Sequence, residues 1–182
     1  MLEDLKIAIT VKDLEKVFEN RKVLDQVNLE IKKGEIFVIL GGSGSGKSTL
    51  LRIMAGSIKP TKGTVHFGAQ DIHALDTEGA EKIKRHFGMS FQSAALLDFL
   101  TVEENVSLPL KEHTDLDDKV ISIITRMKLG LVGLKGFENY YPSMLSGGMK
   151  KRVGVARAIA MDPLVVFYDE PTAGLDPVVC AV

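Results

Sequence analysis

The segment of residues 41–49 has the composition of a loop that wraps around phosphate groups. Its residues are Gly41, Gly42, Ser43, Gly44, Ser45, Gly46, Lys47, Ser48 and Thr49. Glycines let backbone N–H groups approach phosphate oxygens closely, because they carry no Cβ. Lys47 supplies a positive charge for the β- and γ-phosphates of a nucleoside triphosphate, and the Ser48 hydroxyl suits Mg²⁺. A flexible glycine–serine linker is the alternative, but the apolar run before the loop and the helical pattern after it favour nucleotide binding.

A second glycine pair, Gly147 and Gly148, follows Ser146 at the predicted start of another helix. The N–H groups at a helix N-terminus attract anions, so this loop predicts a second phosphate contact. A nucleotide held by the first loop reaches the second only if the protein brings the two loops together. The glycine pair alone is weak support for a phosphate site, but its position shortly before an acidic pair strengthens it.

That acidic pair, Asp169 and Glu170, directly follows the apolar run 164–168. A carboxylate at the end of a buried strand is placed to hold Mg²⁺ directly or through water, and we assign this role to Asp169. Glu170, one residue further, is placed to orient and deprotonate an attacking water. An acidic pair on the surface is the alternative, which the apolar run disfavours.

The elements that must position these residues follow from hydrophobic periodicity. Residues 27–31 alternate apolar and polar, which predicts a half-buried strand. Residues 36–40 are continuously apolar and predict a strand buried on both faces of a parallel sheet. Further predicted elements are strands at 64–67, 88–92 and 164–168, and helices at about 47–55 (ended by Gly56), 78–86, 115–129 and 149–161.

Residues from about 93 to 145 are predicted to form a helical insertion within a single domain that spans 1–182. Thr101 and Glu104 have the spacing of a capping box, which predicts that a helix starts there. The chain of 182 residues, 45% of them hydrophobic, is long enough for one core.

The ordered set of motifs resembles the ATP-binding subunits of ABC transporters over nearly the whole chain. The resemblance implies an α/β fold: a P-loop NTPase core with a parallel-rich sheet, an antiparallel N-terminal portion and the helical insertion. It implies ATP and Mg²⁺ as cofactors, and a head-to-tail homodimer in which the Ser146 loop faces the ATP of the other subunit. Gln92 resembles the glutamine that senses Mg²⁺ and the transport subunit, and Asp176 resembles a residue of the dimer-contact loop. Phe18 resembles the aromatic residue that stacks on adenine, although it also fits a core aromatic residue.

Two stretches resemble the ATPases of Mla/Mce-type lipid transporters, including those called toluene-tolerance proteins. The stretches are residues 91–97, which run on to 101–106, and residues 108–114. Met149, where glutamine is commoner in the family, also resembles this branch. The stretches lie in the helical region, with which this family contacts its membrane permease. The resemblance therefore implies ATP-driven transport of phospholipid or another lipid through a separate integral membrane permease.

The charge and the cysteine content of the sequence limit the kinds of partner and the cellular compartment that we expect. The net charge of −1, from 23 basic and 24 acidic residues, gives no reason to expect nucleic-acid binding. The single cysteine, Cys180, fits a reducing compartment. The sequence has no signal-peptide pattern at its start and no apolar run near the ~20 residues that span a bilayer. We therefore expect a cytoplasmic protein that binds the inner face of the membrane through the permease.

The end of the sequence departs from the family pattern. Family members continue past the loop of Asp176 with a helix and a central strand that ends in a histidine at the γ-phosphate. We expect a chain ending at Val182 to be truncated, to bind nucleotide, and to hydrolyse it slowly or not at all. Two other interpretations stay open: a non-catalytic ATP-binding fragment, and a soluble ABC-type protein of DNA repair or translation.

Overall fold

A computed structural model describes residues 7–169 of the chain. These residues belong to two compact units that divide between Lys84 and Arg85. The first unit contains an antiparallel sheet and the glycine-rich loop, and the second contains a helical region and a pair of parallel strands. That residues 1–182 form a single domain stays a prediction.

The sheet of the first unit has four antiparallel strands in the order β2–β1–β3–β4. They are β1 (Ile7–Phe18), β2 (Arg21–Lys32), β3 (Lys62–Phe67) and β4 (Gln70–Asp71). Residues 27–31 lie within β2 and alternate between half-buried and exposed, as their pattern predicts. Ile9 and Val11 of β1 are buried. Strand β1 is not among the predicted elements, and its pairing is interrupted by irregular register near Asp13, a residue with a φ of 47°.

Two helices belong to the first unit, α1 (Lys47–Met54) and α2 (Thr77–Lys84). Helix α1 begins directly after the glycine-rich loop and buries Leu50 and Ile53. Gly56, just past its end, has a φ of 72°, a left-handed conformation that costs glycine little. The predicted stop of this helix at Gly56 is therefore confirmed.

Residues 35–40 form no strand, so the prediction of a buried parallel strand at 36–40 is wrong. Ile36 is 92% exposed and Leu40 is 88% exposed. A strand buried on both faces needs hydrogen-bonded neighbours and a layer of side chains over each face. Within residues 7–169, no strand pairs with this run. An apolar run shows which side chains would be stabilised by burial. The neighbouring strands and side chains that could bury them belong to other parts of the fold, which the run does not specify.

The second unit contains β5 (Phe87–Ser90) and β6 (Val165–Tyr168), which pair in parallel. The apolar patterns predict both strands to within one or two residues of these bounds. Gly88 of β5 lies against the carbonyl group of Ala158, and a Cβ at Gly88 would come within 2.2 Å of that oxygen. The helix that carries Ala158 therefore packs directly on β5.

The helices of the second unit are α3 (Val102–His113), α4 (Asp118–Leu131) and α5 (Gly147–Ala158), with a short 3-10 turn at Pro142–Met144. The capping box at the start of α3 is confirmed. The Glu104 N–H donates to Thr101 Oγ1 at 3.2 Å, and the Thr101 N–H donates to the Glu104 carboxylate at 2.7 Å. These helices enclose one apolar cluster, made of Val102, Val106, Leu110, Ile121, Leu129, Leu134, Leu145, Val153, Ala156 and Ala160.

Candidate nucleotide-binding site

The glycine-rich loop forms a tight turn whose backbone path requires glycine. The Ser45 N–H donates to the carbonyl oxygen of Gly42 at 3.3 Å. Gly44 and Gly46 have φ angles of 75° and 94°, which residues with a Cβ rarely adopt. A Cβ at Gly46 would also lie 3.0 Å from Leu24 Cδ2. The loop is exposed from Gly41 to Ser45, so a ligand can reach it.

Lys47 is folded back over this loop. Its Nζ donates to the carbonyl oxygens of Gly41 and Gly42, each at 2.8 Å. Lys47, Ser48 and Thr49 form the start of α1, where no acidic residue offsets the positive end of the helix dipole. The structure thus brings the residues predicted at 41–49 together as one positively polarised turn suited to phosphate.

Phe18 ends β1, and its side chain is 42% exposed, so it is not a core aromatic residue. Lys16 Nζ lies 4.8 Å from the centroid of its ring, within cation–π range. The same ammonium donates to the carbonyl oxygen of Lys59 at 2.8 Å. An exposed ring offers a face on which a planar base can stack. That this base is adenine stays a prediction.

The Ser146 loop begins α5 in the manner its sequence predicts. Ser146 is the N-cap of the helix, and its Oγ accepts a hydrogen bond from the Met149 N–H at 3.3 Å. Ser146 and Gly147 are exposed, and the first turn of the helix has no acidic residue. Met149 packs against the apolar cluster of the second unit, so its side chain is used for packing. With methionine in place of glutamine at position 149, Ser146 and Gly147 at this helix end stay exposed to an anion.

Asp169 and Gln92 lie beyond the carboxyl ends of neighbouring parallel strands. The Asp169 N–H donates to the carbonyl oxygen of Ser90 at 3.0 Å, which extends the pairing of β5 and β6. Gln92 follows Ser90 on an exposed turn, and Asp169 is 6% exposed. Ligands of open α/β sheets bind at this edge, to which the structure brings both residues.

The donor set predicted for Mg²⁺ consists of the Ser48 hydroxyl, the Gln92 amide and the Asp169 carboxylate. Mg²⁺ is often held by one or two carboxylates together with substrate phosphates and water. In the described part of the chain, no group of three or more His, Cys, Asp and Glu side chains could hold a metal ion. Taken singly, the hydroxyl, the amide and the carboxylate are oxygen donors of the kind that Mg²⁺ takes. Ser48 belongs to the first unit, whereas Gln92 and Asp169 belong to the second. That they hold Mg²⁺ together stays a prediction.

The proposed general base, Glu170, lies outside residues 7–169, as do Asp176 and Cys180. Their predicted roles stay predictions.

Two residues that the sequence patterns do not single out shape the segment after β5. Arg157 of α5 donates to the carbonyl oxygens of Ala94 and Ala95, and burial lowers the pKa of its guanidinium. Asn105 is fully buried. Its side-chain amide accepts a hydrogen bond from the Leu97 N–H at 2.8 Å and donates one to the Leu97 carbonyl oxygen at 3.1 Å. For Asn105, a polar residue among the buried positions of a helix was the available signal.

The family model described as ABC transporter matches residues 24–173. This chain belongs to the ABC transporter family. The ABC protein is 43% identical over 170 residues to the intermembrane phospholipid transport system ATP-binding protein MlaF of Haemophilus influenzae, covering 93% of this chain and 64% of that protein. It is 41% identical over 172 residues to the probable ribonucleotide transport ATP-binding protein mkl of Mycobacterium leprae, covering 94% of this chain and 50% of that protein. The chain thus spans between half and two thirds of the length of these relatives.

A solved structure confirms the predicted fold class. The chain matches a dimeric ATP-binding cassette in a post-hydrolysis state, bound to ADP and Pi, with a TM-score of 0.87 and 36% identity. The match covers 93% of this chain and 77% of the solved one. The ABC protein therefore has the P-loop NTPase fold of an ABC ATPase. No helix within residues 7–169 is both long enough and apolar enough to cross a membrane.

Proposed function

We propose that this chain is the ATP-binding and ATP-hydrolysing subunit of an ABC transporter. The observation that carries the proposal is the position of Lys47, whose Nζ lies 2.8 Å from two carbonyl oxygens of the glycine-rich loop. The ammonium, the loop N–H groups and the positive end of α1 all attract the same phosphate groups. Membership of the ABC transporter family supports ATP over other phosphate compounds as the ligand.

In this proposal the loop of residues 41–49 binds the β- and γ-phosphates, and Phe18 stacks on the adenine ring. Mg²⁺, when bound, neutralises charge on the phosphates. Ser48, Gln92 and Asp169 are the residues proposed to hold it. Glu170 positions the attacking water and accepts its proton.

The Ser146 loop serves the nucleotide of a second copy of the chain. Its helix end is exposed and free of acidic residues in the first turn, so it attracts an anion from outside. We therefore propose a head-to-tail homodimer that closes on ATP. The related cassette solved as a dimer supports this arrangement.

We further propose that the dimer drives an integral membrane permease from the inner face of the cell membrane, and that the cargo is phospholipid or another lipid. The similarity to MlaF supports the lipid. Exposed apolar side chains in the segment after β5 support a protein partner, since Phe91 is 40% exposed and Phe99 is 75% exposed. The similarity to mkl makes a ribonucleotide the second candidate cargo.

Nucleotide affinity of a Lys47→Ala variant tests the proposal. The substitution removes a charge-assisted contact worth roughly 1.5–3 kcal/mol, so the Kd for ATP with Mg²⁺ should rise by about tenfold or more. Lys82→Ala is the matched control, because Lys82 is an exposed lysine of the same unit whose ammonium pairs with Glu78 on its own helix. Equal affinities of Lys47→Ala and the parent chain would refute the assignment. Phosphate release by the parent chain separates an ATPase from a non-catalytic ATP-binding module.

The cargo is tested with the permease co-purified and reconstituted in vesicles. Phospholipid in the vesicle should stimulate ATP hydrolysis, whereas added ribonucleotides should not. Stimulation by ribonucleotides alone would favour the second candidate.

A further inference from the structure

The segment that carries Gln92 is fastened to α5 by one arginine. Arg157 Nη2 donates to the carbonyl oxygen of Ala94 at 2.7 Å, and Nη1 donates to that of Ala95 at 2.8 Å. Ala94 and Ala95 have φ angles of 61° and 45°, in the left-handed region that alanine rarely adopts. Such a conformation persists only where surrounding contacts hold it. The planar guanidinium, with parallel N–H groups, matches two adjacent carbonyl groups in a way that lysine cannot.

A second contact from the same face of α5 holds this turn. Gly154 lies one helical turn before Arg157, and a Cβ at Gly154 would come within 3.2 Å of Ala94 Cβ. Ala94 is 1% exposed, and its N–H donates to the carbonyl oxygen of Phe91 at 2.9 Å. Residues 91–95 therefore form a turn that packs against α5, and Gln92 is an exposed residue of this turn.

The guanidinium of Arg157 is partly buried, and it donates to two backbone carbonyl groups. Burial lowers the pKa of its guanidinium. A cation withdrawn from water costs free energy unless it is hydrogen-bonded, and here the two carbonyl groups accept those bonds.

We infer that Arg157 is a positioning residue that holds Gln92 at the Mg²⁺ edge of the sheet and links it to the Ser146 loop. Helix α5 is capped by Ser146 and has Arg157 in its last turn, so one rigid helix joins the two segments. A displacement of the Ser146 loop would move the Gln92 turn with it. The role in Mg²⁺ binding rests on the proposed function, whereas the fastening of the turn does not.

Hydrogen–deuterium exchange of the chain without nucleotide tests the fastening. Arg157→Met keeps the aliphatic length and removes every donor, so exchange at the Ala94 amide should rise by about tenfold or more as the turn opens. Arg157→Lys should give an intermediate value, because one ammonium cannot repeat the two-pronged contact. Arg152→Met is the matched control, since Arg152 on the same helix donates at 3.1 Å to a different carbonyl, that of Val132. Exchange at residues 91–95 equal to that of the parent in both Arg157 variants would overturn the inference.

A Mg²⁺ titration of ATP affinity tests the link to Gln92. Mg²⁺ should raise ATP affinity less in Arg157→Met than in the parent chain, and by the same reduced factor as in Gln92→Ala. Arg152→Met should keep the full gain. A full gain in Arg157→Met, despite faster exchange at Ala94, would overturn the positioning role. Absence of ATP binding by the parent chain would overturn the proposed function and the Mg²⁺ role together, and the exchange result would still decide whether Arg157 holds the turn.

Discussion

The backbone N–H of Asp169 donates to the carbonyl oxygen of Ser90 at 3.0 Å. This bond continues the parallel ladder in which Tyr168 pairs with Ser90, so the backbone itself carries Asp169 to the carboxyl edge of the two strands. The same edge of β5 leads into the turn of Gln92. The bond to Ser90 is made by the main chain and does not itself involve the carboxylate of Asp169.

Asp169→Asn should therefore weaken Mg²⁺ binding and leave the fold intact. The amide keeps the shape of the side chain but loses the negative charge that attracts the cation, so the apparent Mg²⁺ affinity in the presence of ATP should fall by about tenfold or more. Mg²⁺ titration followed by a fluorescent ATP analogue measures the change. Asp115→Asn, an exposed position before α4, is the control. An unchanged Mg²⁺ midpoint would remove Asp169 from the metal site.

In a version of the chain that is extended past Val182 and hydrolyses ATP, Glu170→Gln should separate ATP binding from ATP hydrolysis. The glutamine keeps the size of the side chain but cannot accept a proton, so hydrolysis should slow by ~10²–10⁴ while binding is retained. ATP should then hold two copies together as a dimer that elutes early in size-exclusion chromatography. The exposed Glu112→Gln variant controls for the loss of a carboxylate elsewhere. A hydrolysis rate equal to that of the parent would assign the base to another residue.

Two glycine substitutions should change stability in opposite directions. A Cβ at Gly88 would lie 2.2 Å from the Ala158 carbonyl oxygen, so Gly88→Ala must push α5 away from β5 at a cost of about 1–3 kcal/mol or more. Gly130 lies within α4, and a Cβ there would meet no other part of the described chain within 4 Å beyond its own helix backbone. Gly130→Ala should therefore raise stability by up to about 1 kcal/mol. Urea unfolding of both variants measures the difference. Equal stability of the two would show that α5 and β5 are not in direct contact at Gly88.

Local signals predicted the helix starts and the glycine-rich loop well. The capping box of Thr101 and Glu104 and the stop at Gly56 depend on interactions within a few residues, which the sequence displays directly. The cap of Ser146 on α5 is equally local.

The errors concern contacts between distant parts of the chain. Residues 36–40 have the composition of a buried strand, yet Ile36 is 92% exposed, because burial depends on neighbours that a local pattern does not specify. Arg157 and Ala94 are 63 residues apart, so no spacing rule connects them. The positions of Gly41 to Thr49 were predictable because one short loop contains them all, whereas the support behind Gln92 was not.

His73 gives the first unit a predictable dependence on pH. Burial lowers the pKa of His73 from its ordinary value of 6.5, and the charges of Lys59 and Lys84 act in the same direction. A hydrogen bond to the Ile53 carbonyl oxygen, at 2.9 Å from Nε2, and the charge of Asp71 oppose the shift. Because its folded pKa is the lower one, the unfolded chain binds more protons just below pH 6.5. Stability is therefore fully present above that pH and falls as the pH decreases through the window between the two pKa values.

His73→Gln should remove this contribution, because its amide can still donate to the Ile53 carbonyl oxygen but does not titrate in this range. The loss of unfolding free energy between about pH 7.5 and about pH 5.5 should be smaller in the variant than in the parent chain. The ring resonances of His73, followed by NMR, should titrate with a midpoint below 6.5. A midpoint above that value, or a variant that loses as much stability as the parent on acidification, would contradict the assignment. At about pH 7.5 His73 is neutral in both the folded and the unfolded parent chain. The difference in unfolding free energy between parent and variant at that pH therefore measures the effect of the substitution apart from titration.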